Sequence, residues 1–378
     1  MPILFWAVLL FVVGACVGSF VNVLVHRVPR DKSIVYPGSS CPACGKPIAW
    51  FDNIPLLSWL ILKGRCRNCL ESISSRYPII ELISAAMFCF LFLAYFHWHL
   101  RAGFVDLATD WPTFVVHLAL LTFLLACSAI DVEYYMIPLL LMWIPTGLGL
   151  GFHAIYNDPL VAPTGPQATA AAVGTLMGLA LAVGLLKLKL LPQSYNLKSQ
   201  TMEEAQKEMA GMNHRIEMLK ELAFLFFPLA GASAAYMITT RVEAIRAPWE
   251  AFSAVPFVGR IGASLMGYLA GGAIVWGVRI LATLAFGREA MGLGDVHFMG
   301  AVGAVLGWVS PLIAFFLAPF FGLFCAAITL LSRKGREVPY GPSLAAASLL
   351  TMLIYDNVVA YLQPGLEGVL FLFFGVGQ

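Results

Sequence analysis

The sequence predicts an all-α polytopic membrane protein with about ten transmembrane helices and one small polar loop, and three observations carry that reading. Of the 378 residues, 60% are hydrophobic and 12% charged, against roughly 45–50% and about 25% in soluble domains. Mean hydropathy is +0.83. Apolar runs close to the roughly 20 residues that cross a bilayer recur along the whole length. Together these exclude a water-soluble globule and a disordered chain, and the runs are continuous where a β-barrel would alternate. A net charge of +2 and a pI near 8.1 are too mild to point to nucleic acid.

The first span, about Ile3 to Leu24, has no basic residue before it and His26, Arg27 and Arg30 just after it. A cleavable signal peptide has its positive end first, so this stretch reads as a retained helix. The segment from Arg27 to Arg76 holds eight basic residues (Arg27, Arg30, Lys32, Lys46, Lys63, Arg65, Arg67, Arg76) against Asp31, Asp52 and Glu71. Positive-inside places it in the cytoplasm and the N-terminus outside. Further spans are expected at Ile79 to Phe96, Trp111 to Ile130, Ile137 to Phe152, Ala168 to Leu191, Leu222 to Ile238, Ile261 to Phe286, Val296 to Val309, Leu312 to Leu331 and Ser343 to Tyr355. Alternate counting makes 25–78, 131–136, 192–221, 287–295 and 332–342 the inside loops, and the last carries Arg333, Lys334 and Arg336.

Two segments depart from this pattern. From Pro192 to Glu221, Met202, Ala205, Met209, Met212, Ile216 and Leu219 recur at spacings of three and four, a helix lying on the membrane or on the protein itself. In the tail, Val369 to Val376 is too short to span and is set off by Pro364 and Gly365, which predicts a break and a surface-lying or re-entrant piece. The chain then divides into a first helix (1–25), a cytoplasmic cysteine loop (26–78), helices bearing a first acid (79–153), an inserted region (154–260), helices bearing a second acid (261–356) and a tail (357–378).

Cys41-Pro-Ala-Cys44 and Cys66-Arg-Asn-Cys69 are two CxxC pairs separated by 21 residues. Two such knuckles present four thiolates to one tetrahedral Zn²⁺, with a gap just beyond the usual 15–20 or so. On the reducing side of the membrane, metal ligation is favoured over disulfides. Four protein ligands leave no position for water, so the metal would be structural, supplying folding energy that the short apolar piece Ile54 to Leu62 does not. Cys16, Cys89, Cys127 and Cys325 lie in apolar spans and read as small buried hydrophobes.

Ionisable residues at spans are costly, so each is a functional candidate. Asp131 ends the third span in CSAIDVEYYMIP and Asp295 opens the eighth in MGLGDVHFMG, and the alternate count puts both at cytoplasmic ends. Two carboxyls brought within about 3 Å cannot both ionise easily, so the pair can activate water and protonate a leaving amine. Gly292 and Gly294 would allow the close approach of an extended peptide. Each acid read alone is also an ordinary helix-end carboxylate. Gly14 and Gly18 fit a close-packing GxxxG face. Asn22 reads as an interhelical hydrogen-bonding residue, and Glu81 as either an interfacial acid or a group near a methyl donor or incoming amine.

At this point the residues resemble bacterial prepilin peptidases, the leader peptidases and N-methyltransferases of type IV pilus and type II secretion systems. GSFVNVLVHRVPR from Gly18, the four cysteines, RYPIIELI from Arg76, the aspartate after the third span, the GLGD string and VPYGPSLA from Val338 follow the family's order. The resemblance covers roughly 1–153 and 260–356. It implies an aspartic endopeptidase of the bacterial inner membrane, with Asp131 and Asp295 as the catalytic pair facing the cytoplasm. Such an enzyme removes the basic leader of pilin-like precursors and in many members methylates the new N-terminus with S-adenosylmethionine. It also implies Cys41, Cys44, Cys66 and Cys69 as zinc ligands, with pilin-like precursors, the lipid bilayer and pilus or secretion assembly proteins as partners, and no nucleic acid. No Gly-rich loop after a strand independently supports S-adenosylmethionine.

Four departures stand out: Leu139 where the family often has a third aspartate, AMGLGD for GMGxGD, His297 for a family lysine, and the inserted residues 154 to 260. The insertion carries an even number of expected spans, which keeps Asp131 and Asp295 on one face. From the residues alone, two other readings stay open: a zinc-stabilised transporter using the acids as proton or cation sites, and a presenilin-like peptidase with another substrate.

Overall fold

The structure is a computed structural model that describes residues 3–156, 161, 164–195, 208, 211–332 and 339–374. Among these the chain is helical, without a β-strand; two isolated antiparallel bridges, Ser40 with Pro47 and Arg65 with Ser72, lie in the cysteine loop. Among the described residues eight helices are long and apolar enough to cross a membrane, and two apolar helices are shorter, so this is a multi-pass membrane protein. The chain forms two compact units, one of residues 1–142 with 313–378 and one of residues 143–312.

In the first unit, α1 (Ile3–Arg27) packs on α3 (Arg76–Phe96). The GxxxG reading holds: a Cβ on Gly14 would lie 2.8 Å from the Ser84 carbonyl oxygen, and one on Gly18 would lie 2.7 Å from Glu81 Cα. Without a hydrophobic drive between helices in lipid, such small residues let backbones meet. Asn22 Nδ2 donates across the same interface to the Tyr77 carbonyl at 3.0 Å, as expected of an interhelical residue. Helix α4 (Leu107–Tyr134) contacts α1 and α3, starts at the N-cap Asp106 and ends at Tyr135, whose φ is 52°. Between α1 and α3 lie the cysteine loop and its one-turn helix α2 (Leu57–Ile61).

The second unit contains α5 (Leu139–Ile155) from Trp143 onward, then α6 (Pro166–Lys187), α7 (His214–Arg241), α8 (Glu243–Ser253), α9 (Pro256–Phe286) and α10 (Leu293–Leu306). Two glycine-mediated pairs organise it. Gly174 and Gly178 of α6 meet Gly231 and Phe227 of α7; Gly267 and Gly271 of α9 meet Gly303 and Met299 of α10. Helix α10 is buried along almost its whole length, as expected of a helix that is apolar all round.

The last two helices are α11 (Val309–Ser332) and α12 (Gly341–Phe374). The expected break at Pro364 and Gly365 is not found, since α12 continues through both to Phe374. A proline removes one helical hydrogen bond, and the bonds on either side carry the helix past it. Pro112, Pro145, Pro228 and Pro319 likewise lie inside helices. Residues 196–207, 209 and 210 of the amphipathic segment lie outside the described residues, as do Arg333, Lys334, Arg336 and Val338. Ile216 and Leu219 belong to the start of α7. Of the four cysteines expected to be buried, only Cys127 is; Cys16 is exposed, and Cys89 and Cys325 are half-buried.

Candidate active site and metal centre

The cysteine loop is built from two copies of one turn. Cys41 N donates to the Lys46 carbonyl and Gly45 N to that of Cys41; Cys66 N donates to the Glu71 carbonyl and Leu70 N to that of Cys66. In each copy the residue after the second cysteine is left-handed, Gly45 at φ 70° and Leu70 at φ 61°. The four sulfurs lie within 4.8 Å of one another, with Cys41 Sγ and Cys69 Sγ 3.8 Å apart. Ligands at the zinc–thiolate distance of about 2.3 Å on a tetrahedron are separated by about 3.8 Å, so the donor set fits a tetrahedral metal. Backbone N–H groups of Cys69 and Asn68 aimed at Cys66 pull its thiol down to about 6, which favours the ligating thiolate.

Side chains tie this loop down. Arg67 grips Asp52 with two hydrogen bonds, Nε to Oδ2 at 2.7 Å and Nη2 to Oδ1 at 2.6 Å, and this holds the Asp52 carboxyl below the usual carboxylate range. Arg27 donates to the carbonyls of Ser33 and Pro37. Glu81, buried on α3, accepts the Leu56 N–H at 2.7 Å, where Leu56 stands at φ 63°. Glu81 is thus the anchor of the loop on the helix.

Asp131 lies in the first unit, buried one turn from the end of α4. Its Oδ2 accepts the Gly341 N–H at 2.8 Å, and a Cβ on Gly341 would lie 2.8 Å from the same oxygen. Gly341 belongs to the VPYGPSLA string and opens α12, so that string delivers a donor to the acid. The string was visible in the sequence, but its role as hydrogen-bond donor to Asp131 was not. Arg76 and Glu133 form an ion pair that joins the start of α3 to the end of α4.

Asp295 lies in the second unit, buried in the first turn of α10. Its Oδ2 accepts the Gly292 N–H at 3.1 Å. Gly292 has an ordinary φ of −75°, and a Cβ there would meet Asp295 Oδ2 at 3.7 Å and the Gly294 nitrogen at 3.8 Å, both ordinary contacts. The chain itself therefore does not demand glycine at 292 for conformation or for space. His297 Nδ1 is hydrogen-bonded to the Tyr268 hydroxyl at 2.7 Å, and its ring lies 5.4 Å from that of Trp143.

A multi-pass helical membrane protein with a four-cysteine centre and two buried acids at helix ends defines the class, and comparison with known proteins narrows it. The Bacterial Peptidase A24 N-terminal domain matches residues 12–95, and the Type IV leader peptidase family matches residues 247–327. A prepilin leader peptidase/N-methyltransferase of Klebsiella pneumoniae is 39% identical over 173 residues, 43% of this chain and 69% of that one. The protein of the same name from Myxococcus xanthus is 44% identical over 150 residues, covering 39% of this chain and 41% of that one. That of Stutzerimonas stutzeri is 28% identical over 380 residues, 93% and 92% of the two chains. No solved structure matches. The chain belongs to the type IV leader peptidase family.

Proposed function

We propose that this protein is a prepilin peptidase that cleaves the leader of pilin-like precursors and methylates the N-terminus so exposed. Asp131 and Asp295 are the catalytic pair in this reading. One observation supports the assignment above all. Each acid is buried at the end of a helix, and each has one carboxylate oxygen fixed by the backbone N–H of a glycine, Gly341 for Asp131 and Gly292 for Asp295. A buried carboxylate in an apolar helix is expensive, so two of them at helix ends, each with an oxygen oriented by a glycine amide, mark a functional pair.

In the reaction, one carboxylate takes a proton from water as the oxygen attacks the scissile carbonyl carbon. The other, protonated, gives its proton to the leaving nitrogen as the C–N bond breaks. The substrate's basic leader would approach from the cytoplasm, and its apolar helix would lie among the spans. The enzyme sits in the bacterial inner membrane with its site on the cytoplasmic side, the face on which the charge bias of residues 27–76 places the cysteine loop. Zinc is the metal of Cys41, Cys44, Cys66 and Cys69, because four thiolates at this spacing suit a closed tetrahedral site. It would hold the loop and take no part in hydrolysis. S-adenosylmethionine as methyl donor follows from the family relationship, since Glu81, the candidate near such a donor, is engaged with Leu56.

Asp131→Asn and Asp295→Asn are each expected to lower cleavage of a pilin-like precursor at least about 100-fold, the scale of a lost acid or base. Each variant should still insert in membranes at wild-type level. Processing is read by the mobility shift of the precursor, and full processing by either variant rejects the pair.

A further inference from the structure

A buried ionic cluster in the second unit is not explained by the chemistry above. Arg279 of α9 is fully buried, and its guanidinium donates to Glu221 of α7 through Nη2 (2.9 Å to Oε1) and Nε (3.4 Å to Oε2). Through Nη1 it donates to Glu289 Oε1 at 2.8 Å and to the Met291 carbonyl at 2.5 Å. Trp276 Nε1 donates to Glu221 Oε2 at 2.7 Å, and the guanidinium stands 5.3 Å above the Tyr195 ring. A buried charge in an apolar helix marks a function by default.

The Met291 carbonyl and the Gly292 N–H are the two ends of one peptide group, which is planar and rigid. One end accepts Arg279; the other donates to Asp295 Oδ2 at 3.1 Å. The guanidinium therefore sets the plane of the amide that fixes the acid. We propose that Arg279, held by Glu221, is a positioning residue that orients the Asp295 carboxylate through the Met291–Gly292 peptide. This rests on Asp295 being a catalytic acid. It also links the inserted region, which contributes Glu221, to the motif that carries the acid.

The competing role is simple bracing of α7 against α9, and the double variant E221Q/R279M separates the two. Removing both charges together leaves neither of these two buried alone and unpairs only the part-exposed Glu289, a change that proteins often tolerate with little loss of stability. Bracing then predicts wild-type turnover. Positioning predicts kcat at least tenfold lower on a pilin-like precursor, KM within threefold, and unchanged thermal unfolding. It also predicts hydrogen–deuterium exchange at least tenfold faster over 287–293, with α7 and α9 protected as before. R279K, which retains a charge and a donor, should fall between the two. Wild-type exchange over 287–293 in the double variant overturns the proposal. Should that variant fail to fold, wild-type exchange and kcat in R279K overturn it equally. A wild-type protein that cleaves no precursor would reject the peptidase reading, while the exchange measurement still decides whether Arg279 sets the loop.

Discussion

At Asp131 a single atom of added size has a calculable effect. An alanine at 341 would place its Cβ 2.8 Å from Asp131 Oδ2 and 3.3 Å from Asp131 Cβ, so the carboxylate must turn away or the start of α12 must shift. Gly341→Ala is expected to lower precursor cleavage at least about tenfold, the scale on which a small misplacement acts, with expression and membrane insertion unchanged. Cleavage assays beside an immunoblot of the membrane fraction check it. Asp131 was legible in the sequence because an acid at the end of an apolar run is rare. Gly341 was not, because the contact joins residues 210 apart and no local pattern encodes it. The sequence marks Glu81 as either an interfacial acid or a group near a methyl donor or incoming amine, but its partner, the Leu56 amide, lies in a loop whose path the sequence does not reveal.

Helices in this protein are joined by absence of side chain as much as by side chains. A Cβ on Gly267 would come within 2.0 Å of the Gly303 carbonyl oxygen, and the reverse substitution gives the same distance to the Gly267 oxygen. Gly267→Ala therefore forces α9 and α10 apart, at an expected cost of about 1–3 kcal/mol. A lower midpoint of thermal unfolding in detergent, relative to Gly277→Ala, where a Cβ meets nothing within 4 Å, would register it. Periodicity and hydropathy located the apolar runs but not all of their ends: α7 starts eight residues before the expected Leu222, and α12 runs nineteen past the expected Tyr355. They did not single out α8, whose 11 residues carry Pro248 and a charged stripe of Glu243, Arg246 and Glu250. Trp249 pins that helix by donating to the Pro166 carbonyl at 2.7 Å. The pattern was present in the sequence, but a helix of three turns between two long apolar runs is easily absorbed into its neighbours.

For the molecule as a whole, the metal centre and the membrane helices make separable contributions. The cysteine loop contains only short helical pieces and two bridges, and Trp50, Leu57, Leu60, Ile61 and Leu70 are exposed in it. With so little apolar burial, its order is expected to depend on metal ligation. Treatment of the detergent-solubilised protein with a strong chelator should open residues 39–73 to proteolysis at Lys46, Lys63 and Arg65 while far-ultraviolet circular dichroism changes little. Readdition of Zn²⁺ should restore resistance, and a loop equally resistant without metal would remove the structural role. The clustering of the four cysteines was legible because their spacing is that of two paired knuckles, whereas the Asp52–Arg67 clamp across the loop was not, since surface ion pairs leave no such signature. The first unit is also discontinuous, formed by residues 1–142 and 313–378. A ribosome adding about 5–20 residues per second needs roughly 10–40 s to travel from Asp131 to Gly341. Throughout that interval the nascent helix already holds its acid while the amide that will receive it has yet to be synthesised, so a chain truncated after α11 inherits the acid without its hydrogen-bond donor.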